Sequence, residues 1–303
     1  MLMNQSENPT DMIKRIFKQV AFVLLMAVVS GCDQKAQTAV SPASENDTAT
    51  VKGNDESKGD DKLTYRQVSQ EKKDESGEYK IIIDFPTGGN AILVNAIREY
   101  ISESLGASYA GDPDDNKQGS YSGDLSNGQQ MVDYYFDLKY KEFKGAHDEM
   151  VKNTPDNPPS FASETEIRHL YETDQFVTYQ FKKYEDMGGA HGGTIITGMT
   201  FRKSDGRRAD WDLFTCSTQD IIKKGLKEYF EVKTDEELEN CLSLETIYLL
   251  PLPATPPVFV KEGISFTYQQ YEIAAYAAGL PSFIVPYKEA KALMNTTGKN
   301  LIP

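Results

Sequence analysis

The chain has 303 residues and a formal net charge of −14 at pH 7, from 46 acidic and 32 basic residues. This excess of acidic residues argues against binding to nucleic acid or to anionic lipid surfaces, because both carry negative charge themselves. A cationic partner is compatible with the charge, although an acidic surface also serves solubility.

The N-terminus has the pattern of a bacterial lipoprotein signal peptide, which we assign to residues 1–31. An apolar stretch at residues 20–29 follows a positively charged segment and is about half as long as a membrane-spanning helix needs to be. Ser30 and Gly31 then precede Cys32, and two small residues before a cysteine suit cleavage and acylation of the thiol. We therefore expect lipid on Cys32 and a lipid-anchored location in the cell envelope; the outer membrane and its periplasmic or surface side are options, and the membrane and its face are left open. An ordinary signal peptide with a chance cysteine is the alternative.

Residues 32–77 predict a disordered tether. They are rich in Ser, Thr, Asp, Glu, Lys, Asn and Gly and contain almost no large apolar side chains. Such a segment buries too little surface to offset the loss of chain entropy on folding. We expect the folded part to begin at residue 78.

The first portion of the folded part, residues 78–190, begins with one strand and two helices. The β-branched run at 79–85 indicates a strand. Apolar residues then recur at helical spacing over 92–105 and again over 131–143. The polar residues 106–128 separate the two helices as a long loop.

From residue 161 onward the pattern alternates and indicates strands with short helices between them. The predicted strands are 164–171, 176–184, 195–202, 245–250, 258–271 and 283–286. The predicted helices are 218–230, a short one that starts at a capping box formed by Thr234 and Glu237, and 289–294. Residues 295–303 are predicted to be a tail. Helices beside a mostly antiparallel sheet predict the α+β class.

Two cysteines remain after Cys32, and their pairing is left open. An even pair in an exported chain makes a disulfide between Cys216 and Cys241 one expectation, and two buried thiols the other. We expect no metal site and no cofactor, because the three histidines lie far apart and lack the spacing of metal ligands.

The densest local motif is a glycine-rich turn between two predicted strands, made of Gly188, Gly189, Ala190, His191 and Gly192, with Gly193 after it. Its functional interpretation places His191 on a rigid turn as an acid–base group or a ligand. The alternative is a hairpin connection whose histidine packs locally. GxSxG, HExxH and CxxC motifs are missing from the sequence, so we assign no catalytic residue.

An alternating aromatic set near the end, Phe266, Tyr268 and the nearby Tyr271, has two interpretations as well. Such side chains serve a sheet core first. An aromatic face left exposed would instead suit a protein or a glycan partner.

Several segments, taken in order, resemble the RsiV-like family. Residues 176–181, followed by Tyr184 and the glycine-rich turn, resemble its strand, tyrosine and GGAHG element. Gly206 followed by residues 211–214 resembles its Gly and DLF stretch. The closing pattern is matched by residues 263–266, 271–273, 276–279 and 284–287. The resemblance covers residues 78–294.

The resemblance implies a two-part α+β unit, with portions at 78–190 and 191–294, and it also implies a binding role. That family includes the part of an anti-sigma factor that binds lysozyme and a non-catalytic region of the peptidoglycan deacetylase PdaC. We therefore expect a non-catalytic binding module for a lysozyme-like protein or for peptidoglycan. A hydrolase that uses His191 and a structural lipoprotein are the alternatives.

Two departures from the family limit what the resemblance implies. A cleaved signal replaces the spanning helix of the anti-sigma factors, so we do not expect the chain to control a sigma factor. The sequence also lacks an HxxxH motif and room for a deacetylase domain.

Overall fold

The larger of two sheets has six strands in the computed structural model, which describes residues 62–107, 120–215, 218–244 and 246–303. The strands are β1 (Thr64–Asp74), β2 (Gly77–Gly88), β3 (Phe161–Glu172), β4 (Phe176–Asp186), β5 (Gly193–Arg202) and β6 (Arg208–Ala209). They lie side by side in chain order. All neighbouring pairs are antiparallel except β2 and β3, which are parallel because a crossover separates them in the chain.

The crossover contains two helices, α1 (Ala91–Gly106) and α2 (Gly128–Asn153). Each starts at an asparagine whose side chain accepts backbone N–H groups of the first turn, Asn90 for α1 and Asn127 for α2. Their apolar faces pack on the sheet. Tyr79 of β2, for example, meets the rings of Phe136 and Phe143 of α2 edge-on.

The smaller sheet contains β7 (Val258–Val260), β8 (Gly263–Thr267) and β9 (Ser282–Val285), all antiparallel. Helices α3 (Gln219–Tyr229), α4 (Asp235–Cys241), α5 (Tyr287–Ala290) and α6 (Thr296–Lys299) accompany it. Single 3₁₀ turns occur at Trp211–Leu213, Ile247–Leu249, Tyr276–Ala278 and Lys291–Leu293.

Strand β7 joins the smaller sheet to the larger one through buried hydroxyl groups. The Phe259 carbonyl accepts a hydrogen bond from Thr178 Oγ1 at 2.7 Å, and the Phe259 N–H donates to Thr200 Oγ1 at 3.0 Å. The two threonines also bond to each other at 2.8 Å. The described residues therefore form an α+β fold with mostly antiparallel sheets, as the sequence predicted.

Strand β1 corrects the predicted tether, because it lies inside residues 32–77. The strand is ordered although Val68 is its only fully buried side chain. Its stability comes from backbone pairing with β2 along its whole length, across a tight turn in which Ser76 N–H donates to Asp74 Oδ1 at 2.9 Å. A composition rule tests only the segment's own apolar content and therefore misses an edge strand of this kind. Residues 32–61 lie outside the described part.

Three further expectations differ from the structure near the C-terminus. Residues 247–249 form a 3₁₀ turn and no strand. The segment predicted as one strand at 258–271 is the β7–β8 hairpin followed by an irregular stretch. The predicted tail at 295–303 contains α6 and buries Leu301 and Ile302 in the core around the smaller sheet.

The boundary predicted between residues 190 and 191 does not separate the two sheets. Strands β5 and β6 follow this boundary, yet they extend the larger sheet through residue 209. Within the described residues, no helix has the length and the apolar content to cross a bilayer.

Candidate functional site

The glycine-rich turn connects β4 to β5, and Gly188 sets its conformation. Gly188 has a φ of +72°, and a Cβ at this position would lie 2.7 Å from the ring of Pro159. The Gly188 N–H donates to Asp186 Oδ1 at 3.1 Å. Because only glycine adopts this backbone without strain, residue 188 determines how the turn presents the residues after it.

His191 follows on this turn, is exposed, and has partners on three sides. Its Nδ1 lies 3.2 Å from the Gly192 carbonyl oxygen, and its Nε2 lies 3.0 Å from the Tyr271 hydroxyl. Its ring stacks on Tyr276 with centroids 3.6 Å apart. A carbonyl can only accept, so Nδ1 carries a proton and, in the neutral ring, Nε2 accepts from Tyr271.

A second segment, residues 268–276, binds the start of β5 through two glutamine side chains. Gln269 pairs with both backbone groups of Ile196: Oε1 accepts the N–H at 3.1 Å, and Nε2 donates to the carbonyl at 2.8 Å. Gln270 Oε1 accepts the Thr194 N–H at 2.8 Å. These side chains occupy the edge of β5 where no strand pairs with it in the described structure.

Glu272 stabilises the same segment through hydrogen bonds to the backbone. Its two carboxylate oxygens accept the backbone N–H groups of Gln269 and Ala254, each at 2.6 Å. Burial raises the pKa of this carboxyl group, and the two hydrogen bonds offset part of the effect. Glu272 thus holds the residues on either side of Tyr271 in place.

The side chains around Gly192 form what we call the aromatic surface: Tyr184, His191, Tyr271 and Tyr276. Tyr184 is 36% exposed and Tyr271 is 42% exposed. The Tyr276 hydroxyl donates to the Gly192 carbonyl at 2.8 Å, and the Tyr184 ring lies so close that a Cβ on Gly192 would be 2.5 Å from its hydroxyl. The surface is therefore accessible at Tyr184, His191 and Tyr271, and hydrogen bonds hold His191, Tyr271 and Tyr276.

The alternating aromatic residues of the sequence separate here. Phe266 and Tyr268 are fully buried, whereas Tyr271 belongs to the aromatic surface. The core interpretation is confirmed for Phe266 and Tyr268, and a role of the exposed Tyr271 in binding stays a prediction.

The groups that hydrogen-bond to the His191 ring are uncharged. Within the part of the chain that the structure describes, its ring nitrogens contact a carbonyl oxygen and a phenol, and no carboxylate bonds to them. A general base of the usual kind is oriented by an acid. Exposed rings with polar tips are typical of recognition surfaces.

A second polar group, which the sequence did not indicate, lies where β3 and β4 meet. His169 Nε2 is 3.2 Å from Glu172 Oε2, and Lys203 bonds to the other oxygen of that carboxylate. The Tyr65 ring stacks on His169 at 4.8 Å. The ring of Tyr179 packs edge-on against His169. Its hydroxyl is buried without a hydrogen-bond partner among the described residues, and this burial raises the pKa of Tyr179. Tyr65 precedes His169, the next member of the group along the chain, by 104 positions, so no local spacing in the sequence reveals the group.

The remaining residues singled out by the sequence lie apart from the aromatic surface or outside the described part. His147 is buried in α2 against Phe161, with its Nε2 3.1 Å from the Pro159 carbonyl. Cys241 is half-buried at the end of α4. Cys32 and Cys216 lie outside the described residues, so acylation and the disulfide stay predictions. The described residues contain no group of three or more potential metal-binding side chains.

Comparison with known proteins finds a family match at the C-terminal end of the fold. The model of the family described as "Protein of unknown function (DUF3298)" matches residues 212–288. The matched range includes Tyr271 and Tyr276 but begins after the glycine-rich turn. No curated protein matches the chain.

Two solved structures of DUF3298 family proteins are similar to this one. The first, from Bacteroides fragilis, has a TM-score of 0.57 and 19% sequence identity, over 78% of this chain and 94% of its own. The second, from Pseudomonas aeruginosa, has a TM-score of 0.51 and 14% identity, over 80% of this chain and 98% of its own. At these identities the similarity shows a common fold.

Proposed function

We propose that the protein is a non-catalytic binding module of the cell envelope, anchored by lipid on Cys32. The observation that carries the proposal is the aromatic surface, in which hydrogen bonds between two distant segments fix His191, Tyr271 and Tyr276. Fixed side chains lose little conformational entropy on binding, so their contacts contribute more to affinity. The signal-peptide pattern before Cys32 supports the location.

The ligand we propose is a basic, lysozyme-like protein. Tyrosine side chains provide large contact areas and polar tips at protein interfaces. The net charge of −14 would attract a basic partner at low salt, and the resemblance to the RsiV-like family supports the same ligand. Peptidoglycan is the second candidate, because tyrosine rings also suit sugar faces.

A hydrolase based on His191 is less well supported. It requires an acid that orients or assists the histidine, and the described partners of His191 are Gly192, Tyr271 and Tyr276. A purely structural lipoprotein would not need exposed aromatic side chains fixed in this way.

The test measures binding of the full chain to lysozyme and to insoluble peptidoglycan, at low and at moderate salt. Replacing Tyr271 or His191 by alanine should weaken binding about tenfold or more, as expected for a residue central to an interface. Tyr248→Ala is the matched control, since Tyr248 is 86% exposed and does not belong to the aromatic surface.

Each outcome has a definite meaning. Binding to lysozyme that depends on Tyr271 but not on Tyr248 supports the protein ligand, and the same pattern with peptidoglycan alone replaces it by the glycan. Equal loss in all three variants, or no binding to either ligand, contradicts the proposal. Wall-degrading activity of the parent chain that is lost in His191→Ala would favour the hydrolase.

A further inference from the structure

A cavity of about 380 Å³ lies between the second half of α1 and the residues that lead into α2. Its size falls at the lower end of the range for small-ligand sites. Its lining includes Glu99, Ser102, Glu103, Tyr121, Leu125 and Tyr135. None of these residues belongs to the aromatic surface.

The wall of the cavity is held in place by the Tyr135 hydroxyl. This side chain is 1% exposed. Its hydroxyl accepts the Tyr121 N–H at 3.1 Å and bonds to Ser102 Oγ at 2.9 Å. Gly106 permits the close approach, since a Cβ there would lie 3.2 Å from the Tyr135 ring. The cavity is thus formed before any ligand enters.

The charged side chains that line the cavity are both carboxylates. Glu99 and Glu103 are one helical turn apart on α1, a spacing at which like charges repel. Arg208 Nη1 donates to Glu103 Oε2 at 2.7 Å. Glu99 has no cationic partner among the described residues, because the adjacent Arg98 donates instead to the Pro86 carbonyl at 3.1 Å. Within residues 62–107 and 120–303, as far as they are described, one carboxylate at the cavity therefore has no ion pair.

Aromatic rings stand beside these carboxylates. The Tyr121 ring lies 5.4 Å from that of Tyr134 and 6.4 Å from that of Tyr135, measured between centroids. Aromatic rings attract cations through their electron-rich faces. A carboxylate next to tyrosines within a partly enclosed space combines two interactions that both favour a cation.

We propose that this cavity binds a guanidinium group, with Glu99 as the ion-pairing carboxylate and Tyr121 as the aromatic contact. Guanidinium matches the site because it is planar, weakly hydrated, and able both to donate two hydrogen bonds to a carboxylate and to stack on a ring. The inference does not rest on the proposed function, since it uses other residues and a different face of the fold.

The first test titrates the full chain with N-acetyl-arginine amide and follows backbone amide signals by NMR. The signals of residues 99–106 and 120–125 should shift with this probe and return as salt is added. N-acetyl-citrulline amide, which has nearly the same shape but no charge, should leave them unchanged. Equal shifts with both probes, or none with the arginine probe, overturn the proposal.

The second test uses variants. Glu99→Gln should weaken binding of the arginine probe about tenfold or more, as expected for the loss of a charged hydrogen-bond partner, and Tyr121→Leu should weaken it less. Glu149→Gln, an exposed position on α2, is the control and should bind as the parent does. Unaltered affinity in Glu99→Gln, with thermal unfolding unchanged, contradicts the site. Tyr271→Ala should not affect this probe, which separates the outcome from that of the proposed function.

Discussion

Tyr271 combines an unusual backbone with an accessible side chain. Its φ is +65°, in the left-handed region that costs a residue with a Cβ about 1–2 kcal/mol, and its ring is 42% exposed. Burial in the core does not explain why a tyrosine occupies this position. The binding role proposed for this side chain would explain it, since strained residues often persist where the conformation serves a function.

Replacing Tyr271 by glycine should therefore separate stability from binding. Glycine relieves the backbone but removes the ring, so Tyr271→Gly should be about 1 kcal/mol more stable than Tyr271→Ala. Both variants should lose binding to the same extent. Urea unfolding and the lysozyme binding assay measure the two effects. A glycine variant that is less stable than the alanine variant would show that the backbone is not strained.

The contact between Asp205 and Arg202 leads to a prediction about acid titration. The hydrogen bond from Arg202 holds the pKa of this carboxyl at about 2, below its ordinary value of 3.8. A depressed pKa means that the pair stabilises the fold above the unfolded-state pKa, and that this contribution is lost as the pH falls through the folded-state value. NMR titration of the Asp205 carboxyl carbon should show the low pKa in the parent and a value closer to 3.8 in Arg202→Gln. The same pKa in both proteins would refute the assignment to Arg202.

At the scale of elements, the edge of β5 is completed by side chains. Gln269 supplies one acceptor and one donor to Ile196, much as a neighbouring strand would, and Gln270 supplies one acceptor to Thr194. The arrangement connects the segment that carries Tyr271 to the larger sheet. It also blunts a strand edge that would otherwise be open to another chain.

Each of the two glutamines should contribute to the free energy of unfolding according to the number of hydrogen bonds that it makes to the backbone of β5. Gln269→Leu leaves two half-buried backbone groups without partners and should cost about 1–3 kcal/mol, whereas Gln270→Leu removes one such bond and should cost less. Urea unfolding gives the values, and amide hydrogen exchange at Ile196 reports the local opening. An equal or reversed order would contradict this account of the β5 edge.

The C-terminal residues should also contribute to the stability of the fold, and this contribution can be measured. Leu301 and Ile302 are 5% and 6% exposed in the core of the smaller sheet. Ending the chain at Asn300 should lower the free energy of unfolding by about 3–6 kcal/mol, from two buried aliphatic side chains. Removal of the exposed Pro303 alone should change little. If both truncations unfold at the same urea concentration as the parent, the terminus does not contribute to the core.

At the scale of the whole molecule, the fold presents two surfaces of different chemistry. The aromatic surface joins the β4–β5 turn to the segment after β8, and the acidic cavity lies between α1 and the start of α2. Recognition at two separate places on one compact unit would increase affinity for a partner large enough to reach both. The lipid anchor proposed at Cys32 would hold this unit at a membrane.

The anchor is itself a prediction about the whole molecule. Two or more acyl chains bind a bilayer far more firmly than one, so the parent chain should sediment with membranes when expressed in a bacterium that processes lipoproteins. Cys32→Ser should be found in the aqueous fraction, and Cys241→Ser serves as the control. A parent chain that stays in the aqueous fraction would contradict lipidation.

The sequence determined the features that depend on neighbouring residues. Hydrophobic periodicity predicted α1, α2 and most strands of the larger sheet. The capping box at Thr234 and Glu237 forms as expected, and glycine at position 188 marked a turn that needs a positive φ. Each of these features is set within a few residues, where spacing and conformational preference are sufficient.

Only the tertiary structure decided what distant segments do to one another. The order of β1 depends on pairing with β2, and burial of Leu301 and Ile302 depends on a core built from other elements. His191 meets Tyr271 80 positions further along the chain, and the cavity beside Glu99 exists because Tyr121 bonds to Tyr135. The physical reason is the same in every case. The groups that make these contacts lie far apart in the sequence, at spacings that no local pattern predicts. The contacts stabilise the protein only after the fold has brought the groups together.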